Sequence, residues 1–321
     1  MVTVRERIAN KLKESIRSLE NMKTLTICGL ASSVVLLFTY LITCWVVVDI
    51  ALVANQNVIE DSQRPQFFGI QNYESVVFSP LNEEEIDLRG WWIPHDNARA
   101  TVIWVHGIDG TRAGNMEFLA SLHKEGYSVL MFDLRGHGES DKVPIGGGAY
   151  EHRDLLGAIA FTKAKAADTP IVLGGTSLGG AIVLMVAAQD TSIKGVIADG
   201  AFANIVSLIK QETADRTPIP SWAAGMLQPG LIMMGKLFKD ADVSKVAPVE
   251  YVGGIQYPIA IIHCKSGKRI PFSHAEEILQ ASPKDSVSLF VDGCDHAQAY
   301  EKDKEAYKDF VFNYLETRLS P

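Results

Sequence analysis

Residues 171–180 read Ile-Val-Leu-Gly-Gly-Thr-Ser-Leu-Gly-Gly, and this stretch decides the fold. It begins with an apolar run, turns through small residues and continues into a second apolar run, which predicts a strand, a tight turn and a helix. Ser177 stands in the turn, between Gly175 and Gly179. A sharp strand-to-helix turn exposes a serine hydroxyl, and flanking glycines let the chain turn without steric conflict. Ser177 is therefore the candidate nucleophile.

The chain on both sides of this turn alternates between strand and helix patterns. Short apolar runs such as 101–105 and 128–133 are typical of parallel strands buried on both faces. We predict strands at 74–79, 85–93, 101–105, 128–133, 170–175, 195–199, 258–263 and 287–291, and helices at 113–125, 149–167, 178–189, 273–281 and 302–319. This alternation predicts an α/β fold with a mostly parallel sheet of eight strands, flanked by helices on both faces.

One long stretch interrupts the alternation. Residues 202–250 show no strand pattern of their own, and they are rich in apolar side chains: Trp222, Met226, Leu227, Leu231, Ile232, Met233, Met234, Leu237 and Phe238. Long insertions in compact domains are usually functional lids or binding elements. We predict a helical lid insertion here; the alternative is helices that only pack onto the core.

The loop after the third predicted strand is a candidate for binding negative charge. It reads Trp-Val-His-Gly-Ile-Asp-Gly over residues 104–110. An oxyanion hole needs two backbone N–H donors aimed at the developing negative charge. We expect one donor from Leu178, at the start of the helix after Ser177, and the other from Ile108. The alternative is that this loop is only a strand-to-helix turn.

A base is needed beside Ser177, because a serine hydroxyl is otherwise a poor nucleophile. Of the eight histidines, His296 alone lies just past the last predicted strand. We therefore predict that His296 is the base. His106 and His263 are alternatives only as residues that line the pocket.

Three motifs together resemble the α/β-hydrolase superfamily. They are His106-Gly107, the segment Asp-Leu-Arg-Gly-His-Gly-Glu-Ser over residues 133–140, and the turn at Ser177. The chain is especially similar to single-span, membrane-anchored members of the esterase or S33-peptidase type, over roughly residues 75–319. The resemblance implies an α/β-hydrolase fold with a helical lid, a catalytic histidine at position 296, and structural roles for Arg135 and His137.

The acid behind the histidine is missing from its usual place. In the superfamily an aspartate sits four residues after the histidine that ends the seventh strand, and here Gly267 occupies that position after His263. The acid orients the imidazole, and its loss can lower turnover by about 10⁴. Three explanations remain open: Asp199 supplies the carboxylate from the neighbouring strand, Asp292 or Asp295 does so, or the enzyme is a weakened dyad.

The N-terminal part of the chain predicts a membrane anchor. Residues 25–48 carry no charge, and a bilayer requires about 20 such residues in a helix. A cleaved signal sequence, with an apolar region of about 7–15 residues, and a buried helix are the alternatives. We predict a cytoplasmic segment at 1–22, read as an amphipathic helix or as an extension of the span, then a transmembrane anchor at 23–54, a polar linker at 55–72 and the hydrolase domain at 73–321.

Charge and cysteine content refine this topology. Six basic residues precede the span and only Arg64 follows it closely, which places the N-terminus in the cytoplasm and the hydrolase domain outside it. A net charge of −8 disfavours nucleic-acid binding. Cys264 and Cys294 follow neighbouring strands and would face an oxidising compartment, so a disulfide between them is a hypothesis, with two free thiols as the alternative.

The sequence thus predicts a single-pass membrane serine hydrolase that cleaves an ester, thioester or amide through an acyl-enzyme on Ser177. A small-molecule or lipid-like acyl substrate is the expected partner, and no metal or organic cofactor is implied. A peptidase or acyltransferase on the same scaffold is one alternative. A catalytically weakened binding protein is the other, because of Gly267.

Overall fold

The structure is a computed structural model that describes residues 4–55 and 57–320. The ends of the predicted cytoplasmic segment (residues 1–3) and hydrolase domain (residue 321), and position 56 in the predicted linker, lie outside the described residues. The strands are β1 (Glu74–Phe78), β2 (Leu88–Ile93), β3 (Thr101–Val105), β4 (Ser128–Phe132), β5 (Ile171–Thr176), β6 (Ile193–Asp199), β7 (Ala260–Cys264) and β8 (Val287–Val291). The helices are α1 (Val4–Ala51), α2 (Met116–Lys124), α3 (Glu151–Lys165), α4 (Leu178–Ala187), α5 (Ile209–Arg216), α6 (Ser221–Lys239), α7 (Pro248–Tyr251), α8 (Ser273–Ala281), α9 (Ala299–Lys302) and α10 (Lys304–Leu319).

The eight strands form one sheet in the order β1-β2-β4-β3-β5-β6-β7-β8. The pairs β1–β2 and β2–β4 are antiparallel, and the remaining pairs are parallel. The residues of β3, β4 and β5 are all buried, as expected for central strands covered on both faces. The predicted α/β fold with a mostly parallel eight-stranded sheet is confirmed.

Two apolar layers cover the sheet. One contains α3 and α4, and every residue of α4 is buried. The other contains α2 and α10. A helix that is apolar on all sides belongs in the interior. The consequence for the site is that the residue preceding α4, Ser177, is held by a helix that is buried along its whole length.

Three local features refine the predicted elements. The helix predicted at 302–319 is α10, which begins at Lys304 because the side chain of Asp303 accepts a hydrogen bond from Ala306 N and caps it. Residues 4–22 are continuous with the apolar run in one helix, α1, which is the second of the two readings of this segment. The polar stretch 57–72 packs onto the body through Ile59, Pro65 and Ile70, which are buried.

Helix α1 is long and apolar enough to cross a membrane. Its residues from 25 to 39 are exposed, whereas Cys44, Val47 and Val48 are buried. These three side chains pack against α6, which lies within the insertion at 202–250. The insertion is helical, as predicted, and it contacts the end of α1 as well as the core.

Candidate active site

The turn between β5 and α4 holds Ser177 in a backbone conformation that few residues adopt. Its φ is 58° and its ψ is −118°. A positive φ is costly for a residue with a side chain, and it persists where the surroundings enforce it. The neighbouring glycines explain how: a Cβ on Gly175 would lie 2.5 Å from the carbonyl carbon of Gly179, and a Cβ on Gly179 would lie 2.1 Å from Val105 O. The turn therefore requires glycine at both positions, and it directs the Ser177 hydroxyl out of the sheet.

His296 lies in the loop after β8 and meets Ser177. Its Nε2 is 2.8 Å from the Ser177 Oγ, which is hydrogen-bonding distance. The loop is fixed to the one after β7 in two ways. Cys264 and Cys294 form a disulfide, which confirms that hypothesis. The Asp295 carboxylate accepts hydrogen bonds from the backbone N–H groups of Lys268, at 3.0 Å, and of His296, at 2.8 Å.

The surroundings of His296 keep its ring neutral. Burial, followed by the positive charge of Arg269, lowers the pKa of His296 to about 4. Both effects disfavour the imidazolium. At neutral pH the ring is therefore unprotonated at one nitrogen and can accept the proton of the Ser177 hydroxyl. The same effects make the protonated ring, once formed, hard to stabilise.

The loop after β3 comes close to the serine. A Cβ on Gly107 would lie 3.0 Å from the Ser177 Cβ, so a larger residue here would press on the nucleophile. Ile108, the next residue, lines the same cavity as Ser177 and Leu178. Within the described residues no hydrogen bond occupies Ile108 N, and Leu178 N, at the first position of α4, has no partner within its helix. Two backbone donors are thus available beside the hydroxyl.

Two buried histidines hold this loop. The Nε2 of His106 accepts a hydrogen bond from Leu134 N at 3.0 Å, and the Nε2 of His137 accepts one from Asp109 N at 3.1 Å. Burial lowers the pKa of both rings, that of His106 to about 3, so both are neutral and can accept. Neither His106 nor His263, the two predicted pocket-lining candidates, lines the cavity beside Ser177.

The three aspartates considered as the catalytic acid have different partners in the structure. Asp292 pairs with Lys265 at the surface, and Asp295 binds backbone N–H groups rather than the His296 ring. Asp199, at the end of β6, is buried, and its Oδ2 accepts a hydrogen bond from the Tyr307 hydroxyl at 3.1 Å. Burial raises the pKa of Asp199 to about 7.

No carboxylate is bonded to the His296 ring among the described residues. Its buried Nδ1 has no partner there, and neither has the buried Oδ1 of Asp199. Gly200, which follows Asp199 in the chain, lies next to the imidazole: a Cβ on Gly200 would be 3.5 Å from the His296 Nδ1. Gly267, at the usual acid position, faces the same loop: a Cβ there would lie 3.5 Å from His296 N. The site therefore contains a joined serine and histidine, with the acid unassigned.

An apolar cavity of about 150 Å³ opens beside Ser177. Its walls include Ile108 from the loop after β3, the lid helices α5 and α6, and the end of α1. The residues contributed by α1 and the turn after it are Val47, Val48, Ala51 and Leu52. The sequence predicted a lid at 202–250 but gave no sign that α1 would contribute to the same cavity, because an apolar run has the same pattern whether it contacts lipid or protein.

A second, polar cavity lies on the other side of His296. Arg269 forms a two-pronged ion pair with Glu212 of the lid, at 2.8 Å for both contacts, and Arg216 binds Asp109 at 2.6 Å. Asp109, Arg216 and Arg269 line this polar cavity together with His296, whereas Glu212 lines the apolar cavity. Sequence reasoning missed both arginines, because a lone arginine in a lid or a loop carries no pattern that separates a pocket residue from a solvated one.

Comparison with known proteins finds a family match over part of the chain and solved structures of similar fold. The family model "Serine aminopeptidase, S33" matches residues 96–251, which include Ser177 but end before β7. An esterase of Pyrococcus furiosus, Pf2001, superposes with a TM-score of 0.68 at 21% identity, covering 84% of this chain and all of that one. The chain has the α/β-hydrolase fold.

Two curated proteins are similar to this chain over most of its length. The uncharacterized protein YfhR of Salmonella typhi is 27% identical over 77% of this chain and 82% of its own length. The lysophosphatidylserine lipase ABHD12 of Rattus norvegicus is 29% identical over 72% of this chain and 62% of its own length. Both similarities extend well beyond the segment around Ser177, and both fall at a level that supports the superfamily rather than a substrate.

Proposed function

We propose that the protein is a membrane-anchored serine hydrolase that cleaves a carboxylic ester, thioester or amide through an acyl-enzyme on Ser177. The observation that carries the proposal is the 2.8 Å contact between His296 Nε2 and Ser177 Oγ, at a strained strand-to-helix turn. A nucleophile beside a neutral base is the arrangement that activates a serine. Matches to an S33 hydrolase family and to esterase structures support hydrolase activity.

The residues divide the reaction into two balanced steps. Ser177 Oγ attacks the carbonyl carbon while its proton passes to His296 Nε2, and the Leu178 and Ile108 amides donate to the resulting oxyanion. Collapse expels the leaving group, which takes the proton from His296, and leaves an ester on Ser177. Water, deprotonated by His296, then attacks that ester, and the acid is released as Ser177 regains its proton.

Asp199 is our proposal for the carboxylate that stabilises the protonated histidine. The unpartnered Asp199 Oδ1 is an acceptor, and the unpartnered His296 Nδ1 is a donor, because it carries the ring proton when Nε2 accepts from Ser177 and keeps it in the imidazolium. The backbones of the nucleophile and of this aspartate are directly bonded, since Ser177 N donates to Asp199 O at 2.7 Å. Because the pKa of Asp199 is about 7, the carboxylate form needed for this role increases as pH rises above 7.

The location is proposed from α1 and the cysteines. An uncharged stretch from residue 25 to 48 within one continuous helix fits a single span, and the basic residues before it favour a cytoplasmic N-terminus. The hydrolase domain then lies outside the cytoplasm. The Cys264–Cys294 disulfide supports this, since disulfides persist mainly in oxidising compartments.

The substrate class is inferred from the two cavities. The apolar cavity beside Ser177 fits the acyl chain, and the polar cavity beside His296 fits a polar leaving group. An acyl ester with a polar alcohol, as in a lysophospholipid, combines these properties. The name of the relative ABHD12, a lysophosphatidylserine lipase, points in the same direction. The S33 peptidase likeness keeps amides as the competing substrate.

A panel of nitrophenyl esters and matched anilides, graded by acyl length, tests the proposal. We expect kcat/KM to rise by about fourfold per added methylene while the apolar cavity has room, and esters to be preferred over anilides. Leu231→Trp, which fills the cavity, should shift the preference to shorter chains. Leu237→Trp is the matched control, because Leu237 is exposed and does not line the cavity. A preference for acetyl, or faster cleavage of anilides, would contradict the acyl-ester proposal.

A further inference from the structure

The lid helix α6 exposes a stripe of large apolar side chains. Trp222 is 71% exposed, Met226 69% and Leu237 66%, and Met233 is also exposed. Their spacing of 4, 7 and 4 residues places them on one side of the helix. Soluble proteins rarely keep such a contiguous apolar surface in water. The stripe therefore needs an apolar partner.

Contacts with α1 determine where this stripe lies. Tyr40 OH donates to Met226 O at 3.3 Å and accepts from Gly230 N at 3.1 Å, and Lys239 pairs with Asp49 at 2.6 Å. The contact points run in the same order on both helices. The residues of α6 from 221 to 235 carry no charge, and its first lysines come at the end that meets Asp49. The uncharged parts of the two helices therefore lie on the same side of the Asp49–Lys239 pair.

The length of the uncovered part of α1 places this region at membrane depth. Residues 25–39 of the apolar run are exposed without interruption, and they span about 22 Å as a helix. Beyond them one side of α1 stays exposed, at Ile42, Trp45 and Val46, while Cys44, Val47 and Val48 are buried. A bilayer core is about 30 Å thick. The hydrocarbon must therefore extend along α1 past Tyr40, to the level at which Met226 and Gly230 contact it.

We propose that α6 is embedded in the outer leaflet beside α1, with Trp222, Met226 and Met233 in contact with lipid. This rests on the membrane span of the proposed function. The opposite side of α6 supplies Leu231, Ile232 and Gly235 to the cavity that reaches Ser177. One helix thus has lipid on one side and the acyl cavity on the other, so a chain held in the bilayer is next to its binding site. The substrate class that this favours is an amphiphile resident in the membrane.

Lipid-quenching measurements on the full chain in phosphatidylcholine vesicles test the proposal. An environment-sensitive fluorophore is attached at Met226→Cys in a Cys28→Ser background, because Cys28 is the exposed native thiol and Cys44 is buried. We expect blue-shifted emission, quenching by spin-labelled lipids, and protection from aqueous iodide. The matched control is Val287→Cys, an exposed apolar position on the body, which should show the reverse. Labelled Cys28 in the unaltered chain marks the span itself.

The outcomes separate this proposal from the proposed function. If the protein does not float with the vesicles, the membrane span fails and the inference fails with it. If it floats but the label at 226 is quenched by iodide, only the inference is overturned. A label protected from both quenchers would show a protein partner in place of lipid, which also overturns it.

A kinetic test adds an independent outcome. Trp222→Glu with Met226→Glu should lower turnover of a long-chain ester held in vesicles by about tenfold or more, because carboxylates resist entering the hydrocarbon. Hydrolysis of a short, water-soluble ester should be unchanged, since neither residue lines the cavity. Phe67→Glu, at an exposed site on the body, is the control. Equal losses on both substrates, or on neither, would overturn the proposal.

Discussion

Position 267 carries glycine where the superfamily resemblance implies an aspartate, and the backbone there leaves space for a Cβ. The nearest atoms to an added Cβ are Cys264 O at 3.3 Å and His296 N and Ile270 O at 3.5 Å. These contacts are tight but tolerable. The absence of a carboxylate here is consistent with the low pKa of His296, about 4, since a nearby negative charge would raise it.

Gly267→Asp should therefore raise kcat. At pH 6, where Asp199 is mostly protonated, we expect an increase of about tenfold or more, because the new carboxylate stabilises the imidazolium. The gain should be smaller at pH 8. Gly267→Asn has nearly the same shape without the charge and should leave kcat close to that of the unaltered protein. Initial-rate kinetics at the two pH values check this, and a folded Gly267→Asp protein with unchanged kcat would contradict it.

Asp199 makes a second prediction, on pH dependence. Its pKa is raised to about 7, so the acid is neutral below pH 7 and becomes a useful carboxylate above it. The base form of His296 persists down to about pH 4. The rate should therefore rise through about pH 7 in the unaltered protein, and Asp199→Asn should give a lower, flat profile between pH 5 and 8. A rise near pH 7 that persists in Asp199→Asn would rule out this role.

Among the elements, those around Ser177 could be predicted from the sequence. The strand β5, the helix α4 and the histidine after β8 follow from apolar patterns and chain order, because tight glycine turns and buried strands leave local signatures. The helix predicted at 302–319 corresponds to α10, and only its start differs, since the Asp303 side chain caps it at Lys304. The packing of α1 against α6 was missed, because it joins residues about 190 positions apart.

Removing α1 in two steps tests its part in the lid. A chain lacking residues 1–39 keeps Val47, Val48 and Leu52, which line the cavity, whereas one lacking residues 1–54 loses them. Val47 and Val48 are buried, and exposing α6 in their place should lower the Tm by roughly 5–10 °C. The chain lacking residues 1–54 should also lose the preference for long acyl esters. Equal Tm and equal chain-length profiles would show that α1 is only a tether.

At the scale of the whole molecule, the sheet and the candidate nucleophile could be predicted from the sequence, whereas the salt bridges near the site could not. The salt bridges of Arg216 and Arg269 depend on how the lid folds back over His296, and no local pattern encodes that. Asp199 Oδ1 and His296 Nδ1 are both buried without a hydrogen-bond partner among the described residues. That could not be predicted from the sequence, because it depends on how the ends of β6 and β8 are placed relative to each other. The acid is therefore the part of the site that the sequence left open and that experiment must assign.

The central claim is that Ser177 is an activated nucleophile in this hydrolase fold, and fluorophosphonate labelling of the full chain in detergent tests it most directly. At pH 8 the account predicts labelling of Ser177, identified by mass spectrometry of the modified peptide. Labelling should be abolished in Ser177→Ala and slowed by about 10³-fold or more in His296→Ala. Ser75→Ala, an exposed serine on β1, should label like the unaltered protein. A folded chain that is not labelled, or a label that persists in Ser177→Ala, would contradict the account.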